Sequence, residues 1–143
     1  MKDNSIFSTR NNYFFTIFTR PIEYRNLSGA SWVVIGAALT TLIFNEKTAI
    51  IGLLVLSLAD SAAAIIGLKF GKTYLFNKSL EGSAAFFIVA FLIVFYLSPA
   101  FFLINLIVVS AVTAVELFST ARMNDNLFIP LVTAFILTLG GVT

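Results

Sequence analysis

The sequence predicts an all-α protein, a polytopic bundle of about five membrane-spanning helices with an N-terminal interfacial segment. Of its 143 residues, 59% are hydrophobic and only 11% are charged, against about 25% charged residues in an ordinary soluble domain. Several stretches of helical length carry no charge at all, so lipid must solvate most of the surface. We expect one membrane domain over 1–143, with 1–25 interfacial and 26–143 forming the helical bundle.

The first two spans precede the middle of the chain. A bilayer core needs roughly 20 mostly apolar helical residues. Asn26 to Asn45 carries no charge and predicts helix 1, and Thr48 to Leu68 predicts helix 2, apolar except for the carboxylate of Asp60. Before them, Asn11 to Thr19 is aromatic but too short to span, and arginines flank it, which is typical of a segment lying in the headgroup region.

The remaining spans come from one long uncharged stretch and a shorter one after it. Gly82 to Val115 has no charged residue and is too long for a single span. Ser98-Pro99 divides it, because proline lacks an amide donor and disfavours helix at the residue before it. Pro130 is tolerated in the first turn of the last helix. Helices 3, 4 and 5 are predicted at Ser83–Leu97, Ala100–Phe118 and Leu127–Val142.

The basic residues predict the orientation. Five spans place the N-terminal segment, the helix 2–3 loop and the helix 4–5 loop on one side, with eight of the nine basic residues; only Lys47 lies opposite. By the positive-inside rule the first side is cytoplasmic. We therefore expect an integral, multi-pass membrane protein. The eight residues are Lys2, Arg10, Arg20, Arg25, Lys69, Lys72, Lys78 and Arg122.

Composition also excludes several kinds of chemistry. The chain has no histidine and no cysteine, which rules out a Cys/His zinc site, a Ser-His-Asp or Cys-His nucleophile and a disulfide scaffold. A net charge of +2 is too small to suggest a nucleic-acid partner. Whether the chain forms a homo-oligomer stays open.

Two carboxylates lie where lipid should make them costly. Asp60 precedes Lys69 by nine residues, about 13 Å of helix, and Glu116 precedes Arg122 by six. Such residues usually face a bundle interior or a wet cavity, and packing against a polar partner is the alternative. Together with Asp125 they would repel one another unless protonated or bridged by a cation. A magnesium ion shared by Asp60, Glu116 and Asp125 is the simplest explanation.

The end of helix 2 has the composition of a phosphate site. Ala64, Gly67 and Gly71 form a stripe of small residues on the Asp60 face, which alone would indicate close helix packing. The stripe leads into lysines, hydroxyls and further glycine, the groups that hold a phosphate chain. The alternative for the lysines is that they only enforce topology. The predicted phosphate-binding residues here are Gly67, Gly71, Lys72, Lys78, Ser79, Gly82 and Ser83.

These features in order resemble one known family. Asp60-x-x-Ala63-x-x-x-Gly67-x-x-x-Gly71-Lys72 is followed by Asn77-Lys78-Ser79-Leu80-Glu81-Gly82-Ser83, then Glu116, then Asp125-Asn126-Leu127-Phe128-Ile129-Pro130. This pattern resembles the CTP-dependent lipid kinases that phosphorylate dolichol, phytol and diacylglycerol, from about Arg20 to Gly140. The first block is shared with the related phosphatidate cytidylyltransferases.

The resemblance implies an activity and a set of roles. CTP would be the phosphate donor and co-substrate, Mg²⁺ the cofactor, and a membrane prenol or diacylglycerol the acceptor, with the site facing the cytoplasm. It implies catalytic roles for Asp60, Lys78 and Glu116, and adds Asn126 to the nucleotide-binding residues. Use of another nucleotide stays open.

Two alternatives to a kinase remain. Phosphatidate cytidylyltransferases would use the same CTP site to make CDP-diacylglycerol, although the loop from Lys78 to Ser83 fits the kinases better. A non-catalytic membrane subunit is the second alternative. Kinases of this family usually carry further N-terminal membrane helices and a basic stretch containing histidine, which this sequence lacks. We therefore expect a short member, a fragment or part of an assembly.

Overall fold

The expected all-α fold is confirmed. A computed structural model describes residues 29–75, 78–98, 100, 102–119 and 124–142, so the interfacial segment predicted at 1–25 and the basic residue Arg122 lie outside the described residues. Within these ranges the chain forms helices separated by short connections. They are α1 (Gly29–Ile43), α2 (Glu46–Phe70), α3 (Leu80–Leu97), α4 (Phe102–Phe118) and α5 (Asp125–Leu139).

The described helices carry the apolar surface of a membrane protein. α2, with 25 residues, and α3, with 18, are long and apolar enough to cross a bilayer; α1, α4 and α5 are apolar but have 15, 17 and 15 residues. Leu42, Leu68 and Tyr96 are each more than 80% exposed. A soluble protein rarely leaves so many large apolar side chains open to water. Crossing by all five helices remains a prediction.

α2 changes its winding just before Asp60. The segment Val55–Ala59 is a π-helical turn between two α-helical stretches. Such turns are rare and occur frequently at functional sites. Leu56 and Ala59 on this turn are buried, and Ala63 continues the buried face one turn later. The π turn therefore joins a half of α2 that packs into the core to a half that carries the polar residues.

α3 begins earlier than its predicted start at Ser83. The side chain of Ser79 caps the helix by accepting a hydrogen bond from the Gly82 amide at 3.1 Å, which is the standard role of an N-cap serine. The helix therefore begins at Leu80, and Gly82 and Ser83 lie in its first turn rather than in a loop.

A two-stranded hairpin that the sequence did not predict connects α2 to α3. Strands β1 (Tyr74–Leu75) and β2 (Lys78–Ser79) pair antiparallel. The Glu81 carboxylate accepts a hydrogen bond from the Thr73 amide at 3.1 Å, closing the loop onto the start of α3. The hairpin fixes Lys78 and Ser79 beside the end of α2.

α5 packs against α1, α2 and α4, and glycines let it approach the first two closely. A Cβ on Gly36 of α1 would lie 2.6 Å from the Asn126 carbonyl oxygen, and one on Gly52 of α2 would lie 2.7 Å from the Pro130 carbonyl oxygen. Both distances are too short for any larger residue. Close packing brings the start of α5, with Asp125, next to the polar end of α2 and α3.

Candidate active site

Lys78 lies between two carboxylates from different helices. Its Nζ is 3.0 Å from Glu116 Oε1 on α4 and 2.8 Å from Asp125 Oδ2 at the start of α5. The hairpin supplies the lysine, so three separate elements meet at this ammonium group. A lysine ammonium has three N–H donors, and these two contacts occupy two of them.

The carboxylate of Glu116 is buried and fully engaged. Its residue is 1% exposed, and its second oxygen accepts a hydrogen bond from Ser83 Oγ at 2.7 Å. Asp125 Oδ2 also accepts a bond from Ser119 Oγ at 3.2 Å. A buried carboxylate is costly unless it is paired and hydrogen-bonded, and here Lys78 and Ser83 provide both kinds of partner.

The carboxylates also determine the charge of Lys78. Burial alone would lower the pKa of Lys78, but the hydrogen bonds and negative charges of Asp125 and Glu116 outweigh burial and hold the pKa above its ordinary value. Lys78 is therefore a permanent ammonium at physiological pH, suitable as a point charge for a phosphate oxygen.

A cavity of about 320 Å³ opens beside this lysine, and we call it the polar cavity because Asp60, Lys78 and Glu116 line it. It brings together residues from α2, the hairpin, α3 and α4, including most of the residues with predicted roles. Its volume is close to the lower end of the range for small-molecule sites, about 300 to 1,000 Å³. The lining residues are Asp60, Ala63, Ala64, Gly67, Leu68, Tyr74, Lys78, Ser79, Gly82 and Glu116.

Other predicted site residues do not line this cavity. Ser83 Oγ donates a hydrogen bond to Glu116, and the Asp125 carboxylate accepts one from the ammonium of Lys78. Asn126 points its amide towards the Gly29 carbonyl of α1 at 3.4 Å. Lys72 is exposed, and Gly71 lies at the end of α2. The structure therefore brings the predicted residues into one region. Some of them line the cavity, and the others lie outside it, where Ser83 and Asp125 contact residues of the cavity wall.

Gly67 and Gly82 have a packing role that the phosphate hypothesis did not include. A Cβ on Gly67 would lie 2.8 Å from Ser79 Oγ, and one on Gly82 would lie 2.9 Å from the Ala63 carbonyl oxygen. The Gly82 amide already donates to Ser79. In the structure this amide therefore serves the helix cap, and the two glycines let α2 and α3 approach closely. A phosphate-binding role for Gly67 and Gly82 stays a prediction.

In the structure the ammonium of Lys78 lies between Glu116 and Asp125 and neutralises them. Among the described residues no group of three acidic side chains is arranged to hold a metal, and a magnesium ion shared by Asp60, Glu116 and Asp125 stays a prediction. Asp60 differs, because its half-buried carboxylate faces the polar cavity and no hydrogen bond to it occurs among the described residues. One carboxylate plus substrate phosphates is a common magnesium arrangement, so Asp60 fits a metal ligand better than the other two acids.

Three contributors were missed from the sequence. Glu81 closes the hairpin, Ser119 supports Asp125, and Tyr74 lines the polar cavity. Glu81 falls within the Lys78–Ser83 block, so its position there was a usable signal. Ser119 and Tyr74 had no distinguishing pattern, because their contacts depend on how the helices pack.

Over part of its length, the sequence of the chain is similar to those of known lipid kinases. It is 39% identical to an uncharacterized protein of Rickettsia prowazekii over 73% of this chain and 54% of that protein. It is 33% identical to the CTP-dependent diacylglycerol kinase 1 of Saccharomyces cerevisiae over 60% of this chain and 32% of the kinase. It is 37% identical to the dolichol kinase of Schizosaccharomyces pombe over 57% and 18%.

These matches are partial. The chain spans about half the length of the Rickettsia protein and less of either kinase. No protein-family profile matches the chain, and no solved structure matches it. The apolar helices and these relatives together indicate a membrane protein that is distantly related, over part of its length, to lipid kinases.

Proposed function

We propose that the protein is a membrane lipid kinase that transfers the terminal phosphoryl group of CTP to the hydroxyl of a polyprenol, phytol or diacylglycerol, with Mg²⁺. The observation that carries the proposal is the ammonium of Lys78, held by Glu116 and Asp125 at a cavity that Asp60 also lines. The partial likeness to a CTP-dependent diacylglycerol kinase and a dolichol kinase supports this reaction over others.

The charge of the site supports a requirement for a divalent cation. Three carboxylates and one ammonium leave a net charge of −2 when all four groups are ionised. A triphosphate would be repelled by such a site unless cations accompanied it. When bound with the nucleotide, Mg²⁺ would offset this repulsion and would supply charge neutralisation to the transferred group.

The chain's own residues have distinct roles in this reaction. Lys78 offers its third N–H to a phosphate oxygen, while Glu116 and Asp125 prevent it from moving. Asp60 would be the residue that holds Mg²⁺ together with the phosphates, and its carboxylate can accept the proton of the acceptor hydroxyl. The hydroxyl oxygen forms a bond to the γ-phosphorus, the bond from that phosphorus to the β,γ-bridging oxygen breaks, and CDP leaves. Phosphoryl transfer needs mainly this positioning and charge neutralisation.

The proposal includes a cytoplasmic site in a five-span protein. The hairpin between α2 and α3 would then face the cytoplasm. Because the protein has no cysteine of its own, a single Thr73→Cys variant reports the side directly. We expect labelling in intact cells only by membrane-permeant maleimide; labelling by an impermeant external reagent would overturn the orientation.

The position of the label in CTP decides the reaction. Purified protein in mixed micelles is incubated with Mg²⁺, a prenol, diacylglycerol or phosphatidate, and CTP labelled at the α or the γ phosphate. We expect γ label in the lipid. Label from the α position would instead indicate cytidylyl transfer, and no transfer to any acceptor would favour a non-catalytic subunit. Parallel reactions with ATP test the nucleotide.

A further inference from the structure

A second, larger cavity adjoins the polar one. It has a volume of about 640 Å³ and lies between α1 and α2, with Asn126 of α5 at its edge. We call it the α1–α2 groove. Most of its wall is apolar, and its polar groups come from the end nearest Asp60. The lining residues are Val33, Ile50, Leu53, Leu54, Leu56, Ser57, Asp60, Ser61 and Asn126.

Asp60 is the one described residue that lines both cavities. The groove reaches it from the first half of α2, and the polar cavity reaches it from the second half. A group bound at the groove end of Asp60 would therefore lie next to a phosphate bound beside Lys78. The two cavities together form an apolar compartment and a charged compartment that meet at one carboxylate.

We propose that the α1–α2 groove binds the hydrocarbon chain of the acceptor alcohol and places its hydroxyl at Asp60. The inference rests on the proposed kinase activity and adds where the acceptor lies. From Ile50 to Asp60 the groove follows α2 for ten residues, about 15 Å. Val33 and Ile50 are 38% and 48% exposed, so a chain in the bilayer can enter from the side.

The chemistry of the groove favours an alcohol over an ordinary acyl chain. The methyl end of a phospholipid tail would cover Asp60 without offering a hydrogen-bond partner, and leaving a buried polar group unsatisfied is unfavourable. A terminal hydroxyl removes this cost by donating to the carboxylate. Prenols and diacylglycerol share that hydroxyl, so the two sources must be separated by experiment.

Adjacent residues on α1 provide a matched test. Val33 lines the groove, whereas Val34 is 68% exposed and does not line it. Both side chains are partly exposed, so neither substitution has to disrupt the core. We expect Val33→Trp and Ile50→Trp to raise the KM for the lipid acceptor at least about tenfold, because the indole would displace several methylenes of the acceptor chain and one methylene alone changes discrimination by about 10- to 200-fold. Val34→Trp should leave it unchanged.

The KM for the nucleotide separates a blocked groove from a damaged fold. It should stay within about twofold of the unmodified protein in all three variants, because none of these residues lines the polar cavity. Equal effects of Val33→Trp and Val34→Trp on the acceptor KM, or a matching rise in the nucleotide KM, would overturn the assignment of the groove.

Direct labelling makes the test independent of catalysis. A long-chain alcohol with a diazirine in its tail is photolysed with the unmodified protein, and the labelled peptides are identified. We expect adducts on the groove face of α1 and α2, at Val33, Ile50 and Leu53, competed by excess unlabelled prenol or diacylglycerol, whichever is the natural source. Phosphatidylcholine should not compete.

Photolabelling and the phosphoryl-transfer assay together show whether the kinase proposal or the groove assignment has failed. Labelling of the groove without any phosphoryl transfer would refute the kinase proposal while upholding the alcohol site. Active transfer with labelling only outside the groove would refute the groove assignment. Competition by phosphatidylcholine as strong as that by the alcohols would show that the groove holds bulk lipid. Adducts on residues 1–28 in place of the groove residues would show that the chain itself fills the groove.

Discussion

Replacing Lys78 by methionine is the sharpest test of how the site is built. Methionine keeps much of the volume of the lysine stem and removes only the ammonium. The change leaves Glu116, which is 1% exposed, and Asp125 facing each other with no cation between them. We therefore expect the protein to lose stability as well as activity.

The expected loss follows from the two contacts. Removing one partner of a buried ion pair costs about 3 to 5 kcal/mol, because the remaining charge is left without compensation. Lys78 and Asp125 keep 28% and 23% of their side chains exposed, so water recovers part of this cost. We expect Lys78→Met to lower the free energy of unfolding by about 2 to 3 kcal/mol.

The assay is equilibrium unfolding in mixed micelles titrated with SDS. Adding Glu116→Gln removes the stranded charge while keeping an acceptor for Ser83, so the double variant should recover at least half of the loss. Lys69→Met is the matched control, because Lys69 is exposed and has no ion pair among the described residues. A loss below about 0.5 kcal/mol for Lys78→Met, the size expected of an ordinary surface substitution, would refute the pairing.

Further variants test the remaining parts of the site. Asp60→Asn should fold normally but lower kcat at least about a hundredfold, since the role of its carboxylate grows as the phosphoryl group transfers; near-normal kcat would return Asp60 to a packing role. Gly67→Ala should cost about 1 to 3 kcal/mol in SDS unfolding, because its Cβ would contact Ser79 Oγ at 2.8 Å, whereas Gly29→Ala, whose nearest atom is 3.8 Å away, should be neutral. The raised pKa of Lys78 makes its stabilisation complete below the ordinary lysine pKa of 10.5 and lost as pH rises through the higher folded value. On the alkaline side, the free energy of unfolding should therefore begin to fall only in strong alkali, and this fall should be smaller in Lys78→Met.

The helices were predictable because hydrophobic residues and length define them almost without reference to tertiary structure. The helix end predicted at Leu97, before Ser98-Pro99, and the lone carboxylate of Asp60 both marked real features of the fold. The start of α3 was missed by three residues because the Ser79 cap is a local hydrogen bond that hydropathy does not register. The hairpin was missed because strands of two residues carry no periodic pattern.

The site was predictable as a set of residues but not as a set of contacts. Asp60 and Glu116 stood out because charges are expensive in apolar helices. That Lys78 would be the cation between Glu116 and Asp125 could not be inferred, because the pairs are separated by 38 and 47 residues. Gly67 and Gly82 looked like phosphate-binding residues for the same reason that they pack closely: the absence of a side chain serves both purposes.

The π turn at Val55–Ala59 has a consequence for the length of the chain. It holds one residue more than the α-helical path would need, and each residue of an α-helix turns the chain by about 100°. Because the π turn absorbs that residue locally, deleting one residue there would let α2 continue as a plain α-helix with its two halves in nearly the same relative orientation. Deleting a residue from an α-helical stretch of α2 would instead rotate the half lining the α1–α2 groove by that angle relative to the half carrying the small residues. A one-residue deletion between Leu54 and Asp60 should therefore be tolerated better than one elsewhere in α2.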